Sequence, residues 1–295
     1  MKTTLVILAA GMSHRYGSLK QIESFGPNGE TILDYSIYDA LEAGFTEIIL
    51  IIQKKDSQKF QKFIHKNWDS KVTIKFCYQE FNSFTDNFTI DPSRVKPWGT
   101  GHAVLCLKDM IENPFCVINA DDFYGKDAFK RAKEFLKDAN ENQYGNIYFY
   151  LEKTISLFGD VTRGVCIIDS DDFLKDLVEI RKIRQINNEI INTVSNEVLD
   201  PKTKVSMNFW CFHPSIIKKL EKEFYLFLEK NQASLTEEFI LPEVVCTLVK
   251  KENLKVKMLS TNSDWFGVTY KQDSENMKKN LSQLIEKKKY PLNIY

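Results

Sequence analysis

The stretch Leu5-Val-Ile-Leu-Ala-Ala-Gly11-Met-Ser-His-Arg15-Tyr-Gly17-Ser-Leu-Lys20-Gln21 constrains the fold more than any other. An unbroken apolar run reads as a strand buried on both faces, which belongs inside a parallel sheet covered by helices. The run breaks at Gly11 into a short loop carrying two cations, Arg15 and Lys20. In open α/β sheets the loop at the end of a buried strand is where ligands bind. Small residues and paired cations there suit a polyphosphate. The spacing is not a Walker loop, because no Lys follows Gly17 directly, and it is not Gly-x-Gly-x-x-Gly.

Strand and helix patterns then alternate. Helical spacing runs from Thr31 to Gly44, Asp56 to Asn67, Thr100 to Met110 and Lys126 to Ala139. Strands are expected over Glu47 to Gln53, Val72 to Gln79 and Pro114 to Ala120. This βαβ rhythm predicts a three-layer α/β/α fold with a mostly parallel, mixed sheet of Rossmann-like type. After Gly145 short strands dominate, with a hairpin turning at Asn187-Asn188, a strand over Val205 to Phe212, helices over Pro214 to Asn231 and Thr236 to Lys251, and a strand over Leu254 to Ser260. The expected division is one domain over 1–270, split into halves at 145/146, followed by a charged helical tail over 271–295.

The chain has 295 residues with 40 basic and 40 acidic side chains, so it carries no electrostatic footprint for nucleic acid. Six scattered cysteines (77, 106, 116, 166, 211 and 246) lack any Cys-x-x-Cys pair and read as buried structural thiols of a reducing compartment. The apolar start mimics a signal peptide but enters a cationic loop directly, and no run approaches the ~18 apolar residues of a membrane span. A cytoplasmic location and no membrane partner are expected, with self-association into a homo-oligomer left open.

Phe115-Cys-Val-Ile-Asn119-Ala-Asp121-Asp122 puts carboxylates where an apolar strand ends. Mg²⁺ takes one or two carboxylates plus substrate phosphate oxygens, so Asp121 beside a polyphosphate loop is a candidate ligand, with Asp122 the weaker partner. Capping of the following helix is the structural alternative. Pro97-Trp98-Gly99-Thr100-Gly101-His102 opens a helix, and glycines there let a planar base lie against the backbone. His102 reads as a packing or hydrogen-bonding residue rather than a general base, because an ionised phosphate nucleophile needs no base.

Leu8-Ala-Ala-Gly11 with Arg15 and Lys20 resembles the signature loop of the sugar-nucleotide pyrophosphorylases, although Ser13 and His14 replace the usual second Gly and Ser/Thr. Ala120-Asp121-Asp122, the strand-end Gln79 and the turn at Gly99 resemble the same family. The resemblance implies transfer of a nucleotidyl group from a nucleoside triphosphate to a sugar 1-phosphate, with Mg²⁺ as cofactor. It implies catalytic roles for Arg15, Lys20 and Asp121, and nucleotide contacts by Leu8, Ala10, Gly11, Gln79, Gly99 and Thr100. Leu177-Val-Glu179-Ile-Arg-Lys182 resembles the segment that binds the sugar and its phosphate, Ile180 standing at the usual Lys. Arg181 or Lys182 must then substitute, and strand alternation favours Lys182. Gly164 and Asn208 are further substrate-side candidates. Many relatives carry a second metal-binding Asp in a Trp-x-Asp motif, where this chain has Trp265-Phe-Gly267; Asp264 is the expected substitute.

Two other classes compete. A metal-dependent glycosyltransferase would also hold a nucleotide sugar with carboxylates, but has no third phosphate for Arg15 and Lys20. A non-catalytic nucleotide- or sugar-binding protein is the other. Base and sugar are open; uridine comes first from its frequency in the resembled family, and an alkyl phosphate such as choline phosphate could replace the sugar.

Overall fold

A computed structural model of the protein describes residues 2–11, 23–68, 71–268, 270 and 272–295. The first half runs β1 (Thr4–Leu8), α1 (Ile32–Glu42), β2 (Glu47–Ile52), α2 (Ser57–Asn67), β3 (Thr73–Tyr78), α3 (Thr100–Leu105), β4 (Phe115–Asn119), β5 (Asp122–Phe123) and α4 (Lys126–Leu136). The second half adds β6 (Gln143–Tyr150), β7 (Val161–Ile168), β8 (Leu174–Ile186), β9 (Glu189–Asn192), β10 (Val198–Leu199), β11 (Lys204–Phe212), α5 (Ile216–Asn231), α6 (Leu241–Glu252), β12 (Lys255–Ser260), β13 (Phe266–Gly267) and α7 (Asp273–Glu286).

One mixed sheet of eleven strands organises the molecule in the order β10-β9-β8-β7-β11-β4-β1-β2-β3, with β6 pairing β11 and β12. Its first half is parallel: β1 lies between β2 and β4, and β2 pairs β3. The second half turns antiparallel through β4–β11, β11–β7, β7–β8 and β8–β9. Alternation along β1 and β2 divides the core. Leu5, Ile7, Ile48 and Leu50 pack with Leu33, Ile37, Phe60 and Phe129 of α1, α2 and α4. Val6, Ile49 and Ile51 face the opposite layer, with Val104, Leu220, Phe224 and Val245 of α3, α5 and α6. The expected three layers are therefore present. All six cysteines are free thiols, and Asn187 and Asn188 make the expected hairpin turn with φ of 48° and 66°.

Two helices differ from the sequence expectation. α3 stops at Leu105, and the chain proceeds through turns with Asp109 at φ 68° before Pro114. α6 starts at Leu241 rather than Thr236, because the backbone over 237–239 is engaged elsewhere. Phe239 donates its N–H to the Trp98 carbonyl and accepts from Gly101, while Glu237 accepts from Arg94. Pro242 then suits the first turn, where its missing N–H costs nothing. Among the described residues, no helix is long and apolar enough to cross a membrane.

The C-terminal residues clasp α1. Thr31 and Asp34 form a reciprocal capping box at its start. Asp34 also accepts from Trp68 Nε1 at 2.7 Å and from the Tyr295 hydroxyl at 2.8 Å. One turn on, the Tyr290 hydroxyl donates to Asp39 Oδ2 at 2.6 Å. Burial lifts the Asp39 carboxyl to about 8, against the opposing pull of the Tyr290 hydrogen bond and the Lys126 charge. The folded protein thus holds this proton up to about pH 8, whereas the unfolded chain releases it near 3.8. Stability contributed by the protonated form is lost as pH rises between those values. Asp39→Asn is therefore expected to raise Tm more at about pH 9 than at about pH 4 in thermal melts; an equal shift at both would show that ionisation at this site does not bear on stability.

Candidate active site

The site opens where β11 changes neighbours. Its residues Val205 and Ser206 pair β7, whereas Trp210 to Phe212 pair β4, and β6 follows it along the other edge. Between these stretches the register with β6 shifts from Ser206↔Tyr148 to Phe209↔Ile147, leaving Met207 and Asn208 as a bulge. Asn208 takes φ 62°, a conformation that Asn tolerates better than other side-chain-bearing residues. The bulge re-aims the strand so that β4 and β7 diverge. A cavity of about 520 Å³ occupies the resulting cleft.

Three strands supply one wall. Glu179, Gly164 and Ser206 stand side by side across β8, β7 and β11. Gly164 keeps the middle of this row low. The α6 face of Glu243, Cys246, Thr247 and Lys250 lines the cavity opposite. Its basic groups are already engaged: Lys250 pairs with Asp176 at 2.7 Å, and the buried Arg163 donates to the carbonyl and hydroxyl of Thr154 beneath the Trp265 ring. Burial, then the charges of Glu179 and Glu237, raise the pKa of Glu243. The surface is thus rich in hydroxyl and carboxyl oxygens, a lining that suits a polyhydroxyl molecule.

The far end of the cavity is reached by Asn119 and Asp122 at the end of β4. Asp122 Oδ2 accepts from Asn119 Nδ2 at 2.9 Å. The Tyr124 hydroxyl lies 3.2 Å from the same oxygen and 2.8 Å from the Met207 carbonyl, sharing its proton between them. Burial and the Asp122 charge push the Tyr124 phenol well above its ordinary value, so it remains a donor. Across the short β5–β13 ladder Asp122 faces Gly267. A Cβ at 267 would strike the Trp265 ring at 2.3 Å and stand 3.0 Å from Asp122 Oδ1, so Gly267 is a steric requirement.

On the other side of β4, the ends of β1 and β4 leave the sheet together. Leu8 registers with Asn119, and Ala120 donates to the Leu8 carbonyl at 3.1 Å. The chain leading into Gly11 therefore leaves the sheet alongside Asn119 and Ala120. Gln53 holds the Ala10 carbonyl at 2.7 Å. Farther along the edge, Gln79 Nε2 reaches the Gly99 carbonyl at 2.9 Å and His102 Nδ1 at 3.2 Å. His102 Nε2 lies 3.0 Å from the Ser83 carbonyl, which only accepts. That contact sets the tautomer: Nε2 carries the hydrogen and Nδ1 accepts from Gln79. Both Gln79 amide hydrogens are thereby used, which leaves its carbonyl oxygen as the face it offers. Gly99, at φ 98°, has the Phe239 carbonyl 2.8 Å from where its Cβ would stand. Thr100 Oγ1 accepts from the backbone of Leu241, so its hydroxyl ties α3 to α6.

Several expected residues converge: Glu179, Gly164 and Asn208 line the cavity. Arg15 and Lys20 lie outside the described residues. Two expectations are corrected. Asp264 pairs with Lys153 at 3.3 Å and lines a separate cavity with Phe123, Gly125 and Lys126, whereas Asp122 lines the cavity at the β11 bulge. Lys182 does not share the face of Ile180, because Val161↔Ile183 and Arg163↔Ile180 leave a bulge at residues 181–182. Lys182 takes φ 59° there and pairs with Asp160 at 3.4 Å, outside the cavity lining. Tyr124 and Glu243 were not singled out by sequence reasoning; Tyr124 meets the site through the Met207 carbonyl and Glu243 faces Glu179, both pairs distant in the chain.

Residues 6–283 match a protein family described as nucleotidyl transferase. No curated protein matches the sequence. Among solved structures, the chain is similar to a UDP-glucose pyrophosphorylase complexed with UDP-glucose (14% identity, 96% of this chain and 99% of that one, TM-score 0.60). It is also similar to the inositol-1-phosphate CTP transferase from T. maritima (13% identity, 96% of each chain, TM-score 0.61). A third is HddC from Yersinia pseudotuberculosis (16% identity, 94% of this chain and 98% of that one, TM-score 0.59).

Burial lowers His102 to about 4, so it stays neutral over the working pH range. His102→Leu is expected to cost about 1–3 kcal/mol of stability for each orphaned partner, Gln79 or Ser83, while kcat drops less than about tenfold. Denaturant melts and steady-state rates check this; a collapse of kcat with unchanged stability would make His102 a catalytic base.

Proposed function

Since the chain belongs to the nucleotidyl transferase family, we propose that it joins the nucleotidyl group of a nucleoside triphosphate to a sugar 1-phosphate, with release of pyrophosphate. The observation that carries this reading is the shared edge of β1 and β4. Along that edge the chain leading into Gly11 and the chain leading into Asp121 and Asp122 leave the sheet as neighbours, and the polar cavity at the β11 bulge opens onto Asp122. The triphosphate belongs on the loop side, its base toward Gln79 and Gly99. The sugar belongs in the cavity, against Glu179, Gly164 and Asn208.

In the reaction an oxygen of the sugar phosphate attacks the α-phosphorus, a new P–O bond forms, and the bond to pyrophosphate breaks. Such chemistry asks the protein for positioning and charge neutralisation rather than for a base. Arg15 and Lys20 neutralise the departing pyrophosphate and the α-phosphate. Asp121 and Asp122 supply hard oxygens. Among the described residues no group of three or more His, Cys, Asp or Glu gathers into a self-sufficient metal cage. That fits Mg²⁺, which binds through one or two carboxylates and takes its other ligands from phosphates and water. When bound, Mg²⁺ supplies charge stabilisation for the phosphates.

Pyrophosphate release should require both a nucleoside triphosphate and a sugar 1-phosphate as well as a divalent cation. Asp121→Asn is expected to abolish that release with the fold intact, because an amide lacks the anionic oxygen Mg²⁺ needs. Near-wild-type release would remove Asp121 from the site. Glu179→Gln should raise KM for the sugar phosphate about three- to thirtyfold and spare KM for the nucleotide, as loss of one charged hydrogen bond would. Equal rises in both would take Glu179 out of the sugar pocket.

A further inference from the structure

The buried indole of Trp210 donates from Nε1 to Asn208 Oδ1 at 2.8 Å. Asn208 Nδ2 donates to Asn119 Oδ1 at 2.7 Å, and Asn119 Nδ2 donates to Asp122 Oδ2 at 2.9 Å. An indole N–H can only donate, and an amide presents an oxygen on one side and hydrogens on the other. Trp210 therefore fixes the direction of the whole chain. Asn208 must turn its oxygen inward and its hydrogens to Asn119, and Asn119 must turn its hydrogens to the carboxylate. Reversal of either amide would set two donors or two acceptors against each other. The φ of 62° at Asn208 puts that side chain between β4 and β11, where it can connect them. Gly267 leaves no side chain to crowd Asp122 from the opposite strand.

We propose that Trp210, Asn208 and Asn119 are positioning residues that form a one-way hydrogen-bond relay, which fixes the orientation of the Asp122 carboxylate for the divalent cation. The proposal rests on the reading of Asp121 and Asp122 as the cation's carboxylates. Trp210 never touches substrate; it acts through two amides. A carboxylate held by an oriented donor loses less freedom on binding a cation than one that must be ordered at that moment.

The test is a double-mutant cycle read by the EPR signal of free Mn²⁺, with Mn²⁺ alone as the probe. Trp210→Phe keeps an aromatic ring for the stack on Phe212, whose centroid lies 6.0 Å away, and removes only the donor. Asn208→Gly tolerates the positive φ and cuts the relay in the middle. Trp210→Phe is expected to weaken Mn²⁺ binding about three- to tenfold in the wild-type background and to have no further effect in Asn208→Gly. The same factor in both backgrounds would make the indole a packing residue and overturn the relay, as would no effect in either. Asn119→Ala removes the last link without touching the bulge and must weaken binding by at least the factor seen for Trp210→Phe. Unchanged Mn²⁺ affinity in Asn119→Ala overturns the relay even where Trp210→Phe does not fold. Failure of the underlying reading looks different: Asp121→Asn and Asp122→Asn would then bind Mn²⁺ as the wild type does.

Discussion

The two-residue bulge at Met207–Asn208 is the constraint on which the rest of the structure depends. A strand has two edges, yet β11 has three neighbours, and it serves them all by changing partners from β7 to β4 at the bulge. Such a break exposes backbone polar groups inside the protein, where an unpaired group is costly. The surrounding side chains are those that repair it. Buried Asn146 bonds Ser206 Oγ and the Phe209 carbonyl, and Tyr124 bonds the Met207 carbonyl. The bulge also serves the site: Tyr124, which repairs it, bonds the Asp122 carboxylate directly, and its Asn208 reaches that carboxylate through Asn119. The cleft and the carboxylate that closes it thus share one local defect.

The division of the sheet follows from this. The parallel half presents the ends of β1, β2, β3 and β4 along one edge, the usual ligand edge of an open α/β sheet. The antiparallel half lays Glu179, Gly164 and Ser206 across three strands as a polar wall. Around the cavity Lys250 and Arg163 are paired within the protein, so it offers oxygens and amides to its occupant. The account's central claim is that the bulge separates a triphosphate side from a sugar side.

Much of the parallel half was legible in the sequence, because its signals are local. Six apolar residues before Gly11, a strand ending in Asn119-Ala-Asp121-Asp122, and the capping pair Thr31 and Asp34 each describe their own structure. The resemblance pointed to Glu179, Gly164 and Asn208, and all three line the cavity. The reading of Lys182 assumed regular alternation along a strand, and that of Asp264 rested on its being the nearest carboxylate to Gly267. A bulge at residues 181–182 turns Lys182 toward Asp160, and Asp264 lies before the two-residue β13 rather than on it. The relay was illegible because its members, at 119, 122, 208 and 210, meet only through the β4–β11 pairing. A single sequence holds no local signal for that meeting beyond an Asn able to adopt positive φ.

Hydrogen exchange on the intact protein tests the division most directly, with a sugar 1-phosphate and a nucleoside triphosphate added separately in the presence of Mg²⁺. The account predicts that the sugar phosphate slows exchange over 163–166, 177–180 and 205–208, and that the triphosphate slows it over 9–11, 79–81 and 99–102. Protection of the same segments by both ligands, or the two patterns exchanged, would contradict it.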